Sequence, residues 1–257
     1  MFIGKSISNM VKVYVINLKA STDRKQYIEQ LLSPYQDFMD VHFVEAVDGR
    51  GLSDEQLSEV WNQKETYKTY GRYMKGGEIG CSLSHRKCYE EILKNGDDAA
   101  LILEDDVVFK ENADIRNVVS AVGKLLCTQK PMIVLLSGSY WFFKEKSLPG
   151  VDFQLASVFE AMGAMSYLIN REGAKNILFA EKKYLADDWY SWKSNGIKVY
   201  ALRPHIAGDF DLFKSDIAGS YEGWIRKNLS FKNKLRAYYR GVIRRVLGRI
   251  GHWETRK

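Results

Sequence analysis

Three adjacent carboxylates are the sharpest chemical signal in the chain. Glu104-Asp105-Asp106 follow Ala99–Leu103 (AALIL), an apolar run that stops abruptly at the first acid. Such a run reads as a buried parallel strand, and ligands of open α/β sheets gather at the carboxyl ends of strands. Carboxylates crowded together repel one another, and a divalent cation relieves that cost. A hard ion, Mn²⁺ or Mg²⁺, would then bridge phosphate oxygens of a nucleotide. The alternative is a solvated acidic turn. A second acid pair, Asp187-Asp188, lies in YLADDWYSW (184–192). It would either cap a helix start or serve a reaction, and Trp189, Tyr190 and Trp192 would either stack on a sugar face or fill a core.

Two further segments carry polar groups where a ligand could use them. Asn17–Arg24 (NLKASTDR) follows a β-branched run, a common place for a nucleotide, and Arg24 could pair with a phosphate; an N-capped surface helix explains it equally well. In GCSLSHR (80–86) a hydroxyl stands beside an imidazole. On a helix, neighbours point about 100° apart, so Ser84 and His85 cannot form a nucleophile–base pair with each other. His85 then reads as a hydrogen-bonding group. Cys81, Cys88 and Cys127 have no metal-ligand spacing and read as reduced core thiols. Neither G-x-G-x-x-G nor a P-loop occurs, so dinucleotide and ATP-motif readings lack support.

These groups need a scaffold. Strands are expected at 11–17, 41–46, 99–103, 132–136, 153–160, 164–169 and 197–202, the pair 153–160 and 164–169 as a possible hairpin. Helices are expected at about 22–32, 53–61, 77–93, 113–127 and 171–180, with a loop at 62–76. The alternation predicts an α/β fold with a mostly parallel central sheet. The aromatic segment 139–150 reads as an acceptor-site loop or a surface hairpin.

At 257 residues, 46% hydrophobic and 27% charged, the chain has globular composition and length enough for a sizeable core. No apolar run approaches the roughly 18 residues of a membrane span, and Met1–Met10 lacks the apolar segment of a secretory signal. The net charge of +6 is unevenly spread. Residues 226–257 hold 11 Lys/Arg against Glu254 alone, a charge of +10. The preceding 225 hold 27 basic and 31 acidic residues, a charge of −4. A mildly acidic body with a basic tail argues against a nucleic-acid-binding core. We read a domain at 1–225 and a basic amphipathic C-terminal helical tail at 226–257.

Four segments in order resemble glycosyltransferase family 25, the bacterial lipooligosaccharide β-galactosyltransferases and the collagen galactosyltransferases. They are VYVINL with Asp23-Arg24 (13–24), FVEAVDG (43–49), GEIGCSLSH (77–85) and ILEDDV (102–107). The resemblance extends more loosely over 130–215. It implies a GT-A type nucleotide-sugar transferase fold and inverting transfer from a UDP-sugar, UDP-galactose first, to a lipooligosaccharide or other glycan hydroxyl. It implies that Glu104, Asp105 and Asp106 hold Mn²⁺ against the diphosphate, with Asp106 the foremost ligand and Asp105 beside it. It places Asn17, Arg24, Glu45, Asp48, Ser84 and His85 around the donor, and Asp188, with Asp187 in competition, as the base facing the acceptor. His205 is a candidate extra metal ligand, as a late His serves in many GT-A enzymes.

In the tail, Leu235, Tyr239, Val242, Val246 and Ile250 recur every three or four residues, with Arg236, Arg245 and Arg249 flanking and Arg240 and Arg244 opposite. A basic amphipathic helix reads as a membrane-surface element. The expected location is cytoplasmic, peripherally attached to the anionic inner face of the inner membrane. The alternative is a helix docked on the body. The competing functions are a metal-dependent phosphoesterase or nuclease using the acid cluster, and a non-enzymatic membrane or nucleic-acid adaptor acting through the tail.

Overall fold

A computed structural model of the chain describes residues 10–208 and 226–255. The amino-terminal half supplies β1 (Val11–Asn17), α1 (Thr22–Leu32), β2 (Met39–Glu45), α2 (Asp54–Val60), α3 (Gln63–Tyr70), α4 (Gly76–Asn95), β3 (Ala99–Glu104), β4 (Val108–Phe109) and α5 (Ile115–Leu126). Then come β5 (Met132–Leu135), β6 (Ser139–Ser147), β7 (Gln154–Met162), β8 (Ser166–Asn170), α6 (Arg171–Leu178), α7 (Trp189–Trp192), β9 (Lys198–Arg203), β10 (Ala207–Gly208), α8 (Phe231–Arg249) and β11 (Trp253–Glu254).

Nine strands form one sheet in the order β11-β6-β7-β9-β5-β8-β3-β1-β2. The sheet is mixed rather than mostly parallel. β2, β1 and β3 run parallel, as do β5 and β9. β8 lies antiparallel between β3 and β5, and β7 antiparallel to both β6 and β9. The expected hairpin of 153–160 with 164–169 is therefore not made. Both segments are strands, but β7 pairs with β6, and 139–150 is the other arm of that hairpin. Local pattern located the strands; it could not choose their partners, because apolar runs such as SYLIN of β8 are equally buried beside any neighbour.

Alternation along each strand supplies two cores. Val13, Val15, Leu101, Leu103 and Val134 face one side, against Ile28 and Leu32 of α1 and Val118, Val119 and Val122 of α5. Tyr14, Ile16, Ile102, Ile133 and Tyr167 face the other, against Tyr89 and Ile92 of α4. A third cluster joins Leu57, Trp61, Tyr70, Met74, Ile79 and Leu185. It seats α2 and α3 beside the segment that carries Asp187 and Asp188. The expected loop at 62–76 contains α3: the Asn62 side chain accepts from the Glu65 amide, and Gly71 ends the helix at φ +74°, a region open to glycine.

Candidate active site

A cleft opens at the carboxyl ends of β1, β2 and β3 and is bounded by the start of α4. Glycine builds its wall. A Cβ on Gly80 would stand 2.4 Å from the Val47 carbonyl oxygen, and one on Gly49 would stand 1.9 Å from that of Gly76. Only bare backbone allows the β2 loop to press this closely onto α4. Ser84 completes the joint: its hydroxyl accepts from the Val47 amide at 2.8 Å and donates to the Gly80 carbonyl at 2.7 Å. Ser84 is thus a clasp between loop and helix, fully buried and committed to backbone.

The acid triplet emerges where β3 ends. Asn17 donates to Asp105 at 2.7 Å, and Arg24 reaches Asp105 at 3.2 Å and Asp106 at 3.4 Å. Burial pushes the Asp106 carboxyl up to about 7, assisted by the Glu104 charge and opposed by Arg24. Burial also raises Asp105, against the pull of Asn17 and Arg24. One oxygen of Asp106, Oδ1, is buried without a hydrogen-bond partner. A buried carboxylate oxygen left unpaired among like charges is a place for a cation. The donor set of hard oxygens therefore fits a divalent metal of the Mg²⁺ or Mn²⁺ type.

His85 links this corner to the core. Its Nε2 is 3.1 Å from Glu104 Oε1, and its Nδ1 is 2.8 Å from the Tyr167 hydroxyl, itself 2.6 Å from that of Tyr89. Cys81 stands one helical turn before His85, and its sulfur, the imidazole and Glu104 offer ligand atoms within 4.8 Å of one another. Cys81, expected as a core thiol, is only partly buried and stands at this corner; its i, i+4 spacing to His85 is the signal in the sequence.

The two acids of the 187–188 pair have different surroundings. Asp188 is buried: it caps α7 by accepting from the Ser191 amide at 3.2 Å, accepts from the Tyr70 hydroxyl at 2.8 Å, and lies 3.9 Å from Arg240 of α8. Asp187 is half-buried. Burial and the Asp188 charge push its carboxyl up to about 6, while the Gly163 amide opposes them. Trp189 and Trp192 are buried and donate to the carbonyls of Gly163 and Leu185, so they belong to the core. Tyr190 lies under the guanidinium groups of Arg236 and Arg240.

Of the expected donor-side and metal residues, Arg24, Asp48, Ser84, His85, Glu104, Asp105 and Asp106 line the cleft, and Asn17 reaches it through Asp105. Asp48 is exposed and paired with Arg50 at 2.8 Å. Glu45 is exposed and does not line the cleft, and its carbonyl accepts from Lys87. His205 is not brought there either. Its Nδ1 meets Glu254 of β11 at 2.6 Å, and its backbone amide donates to the same carboxylate at 2.7 Å.

A cleft at the ends of parallel strands, holding an acid triplet with one unsatisfied oxygen, defines an α/β protein with hard oxygen donors at the usual ligand position of such sheets. Residues 10–191 match the family described as glycosyltransferase family 25 (LPS biosynthesis protein), and the chain belongs to that family. It is 28% identical to procollagen galactosyltransferase 2 of Mus musculus over 178 residues, 66% of this chain and 28% of that protein. It is 30% identical to procollagen galactosyltransferase 1-A of Xenopus laevis, again over 66% of this chain and 28% of that protein. The chain thus matches less than a third of the length of these relatives. Among solved structures, a UTP-bound UGPase from Acinetobacter baumannii overlaps 78% of this chain and 88% of its own, at 10% identity and a TM-score of 0.39.

Proposed function

We propose that the chain is an inverting glycosyltransferase of GT-A type. It would move a sugar, galactose first, from a UDP-sugar to a hydroxyl of a lipooligosaccharide or related glycan. The observation that carries this reading is the triplet Glu104-Asp105-Asp106 at the end of β3, with Asp106 Oδ1 unpaired in a cleft also lined by Arg24. Asp106 and Asp105 would hold a divalent ion, Mn²⁺ or Mg²⁺, which when bound supplies positive charge to the donor diphosphate. Arg24 adds a fixed cation on the same side, where the leaving nucleoside diphosphate gathers negative charge.

Asp187 is the better base of the acid pair. Asp188 already serves a helix cap and Tyr70, whereas Asp187 keeps partial exposure and a carboxyl near 6, suited to accepting a proton close to neutrality. The acceptor hydroxyl would give its proton to Asp187 as its oxygen bonds to the sugar C1. The bond from C1 to the β-phosphate oxygen breaks, and UDP leaves with the electron pair. His85, braced by the Tyr167 hydroxyl, would hold Glu104 in place in the cleft.

Release of UDP from UDP-galactose, with and without Mn²⁺, tests the reading. Metal-dependent release exceeding that from UDP-glucose and UDP-N-acetylglucosamine is expected. No release from any of the three would overturn it.

A further inference from the structure

Helix α8 turns its apolar side outward. Its inner face is Ala237, Arg240 and Leu247, all buried. Arg240 gives two hydrogen bonds to Glu160 of β7, at 3.0 and 2.8 Å, and Arg244 approaches the same carboxylate at 3.4 Å. Arg240 also covers the Tyr190 ring and Arg244 the Trp141 ring. The inward face is therefore fixed by buried charge pairing rather than by the apolar stripe. Leu235, Tyr239, Val246 and Ile250 of the apolar stripe lie on the other side.

Phe231, Leu235, Tyr238, Tyr239, Val246 and Ile250 are 48–83% exposed. With Trp253 of β11 they make seven of the twelve exposed large hydrophobic side chains among the described residues. α8 contains no acidic residue, and Lys232, Lys234, Arg245 and Arg249 border the stripe. A buried guanidinium, Arg240, on one side and exposed aromatic and aliphatic groups on the other are the reverse of a water-facing helix.

We propose that the outer face of α8 seats the protein on an anionic lipid bilayer surface. The charge identifies the occupant. Apolar and tyrosine side chains enter the headgroup boundary while the bordering cations meet lipid phosphates. A second copy of the same face would bring cation against cation. The position of the helix adds a consequence that rests on the proposed transferase activity. Arg240 lies 3.9 Å from the Asp188 carboxylate, so the membrane-facing side stands one helix, about 10 Å, from the acid pair that contains the proposed base Asp187. An acceptor hydroxyl carried on a lipid would be presented there.

Flotation of the full chain with phosphatidylcholine vesicles, with and without one part in three of phosphatidylglycerol, tests the proposal. Binding to the anionic vesicles should be at least tenfold stronger and weaken as salt is raised. The double variant Leu235→Glu, Ile250→Glu should lose at least tenfold, and Arg245→Glu, Arg249→Glu about fivefold for each cation removed. All these side chains are exposed, so the thermal midpoint and UDP release from UDP-galactose should be unchanged, which shows the fold is kept. Equal binding to both vesicle types, or full binding by the Glu variants, would overturn the proposal. So would a dimer of the parent chain that the Glu variants dissociate while no vesicle binding is seen. Flotation needs no substrate, so its failure and a failure of sugar transfer are separate results.

Discussion

The unpaired oxygen of Asp106 and the raised carboxyl of Asp187 give the two roles proposed for this region, metal ligand and base, to two different acids. Asp106→Ala should abolish Mn²⁺-dependent binding of UDP-galactose, read by calorimetry with and without metal; undiminished metal dependence would refute the assignment. Asp187→Asn should bind UDP-galactose normally and lose about 10²–10³-fold in kcat, within the usual contribution of a general base. In the parent chain kcat should rise as pH passes upward through about 6, because the base works only when ionised. The same raised carboxyl has an opposite effect on stability. The folded state holds a proton that the unfolded chain has released above the ordinary aspartate range, so stability falls as pH rises from about 4 to about 6. Asp187→Asn removes the buried charge and should raise stability at pH 7 by about 1–3 kcal/mol, measured by urea denaturation. Asp188→Asn should instead lower the thermal midpoint, since it weakens a cap and a buried bond from Tyr70. At this scale the sequence disclosed the acids, but adjacency could not rank them. The ranking comes from Tyr70 and Arg240, which lie 118 and 52 positions away from Asp188 in the chain.

At the scale of elements, the cleft depends on how closely the β2 loop lies on α4. Gly80→Ala should destabilise the fold by about 3 kcal/mol, because the added carbon meets a carbonyl that cannot swing aside. A denaturation midpoint equal to the parent's would show that the loop has room. The strands were legible because apolar runs and turn residues are local. The mixed direction of the sheet was not, because the partner of SYLIN depends on segments some 30 to 70 residues distant. The aromatic segment 139–150 shows the same limit. Its pattern allowed a hairpin, and its partner proved to be β7.

For the molecule as a whole, the uneven charge of the chain was visible in the sequence, and its structural use was not. The stripe Leu235–Ile250 was read correctly as periodic. Its direction depends on Glu160, a buried acid in β7 that gives Arg240 a reason to face inward. Truncation at residue 225 should therefore do more than remove the proposed membrane-facing side. It would strip the α8 cover, with its Arg240 and Arg244 pairing, from Glu160, and would remove β11 from the edge of β6. The thermal midpoint of the truncated chain should fall markedly, and an unchanged midpoint would show that α8 is not structural.

The antiparallel insertion of β8 also has a consequence in time. Leu103 pairs with Ser166 and Ala99 with Asn170, so β3 cannot be covered until the chain has been made well past residue 160. During synthesis the parallel set β2-β1-β3 waits with an open apolar edge, and loops of this length close slowly. The acid triplet stands at the end of that edge, where the Glu104 amide bonds to Met165. The proposed metal site should thus be among the last parts a nascent chain completes, and until then its exposed edge is the place where aggregation or a chaperone would compete.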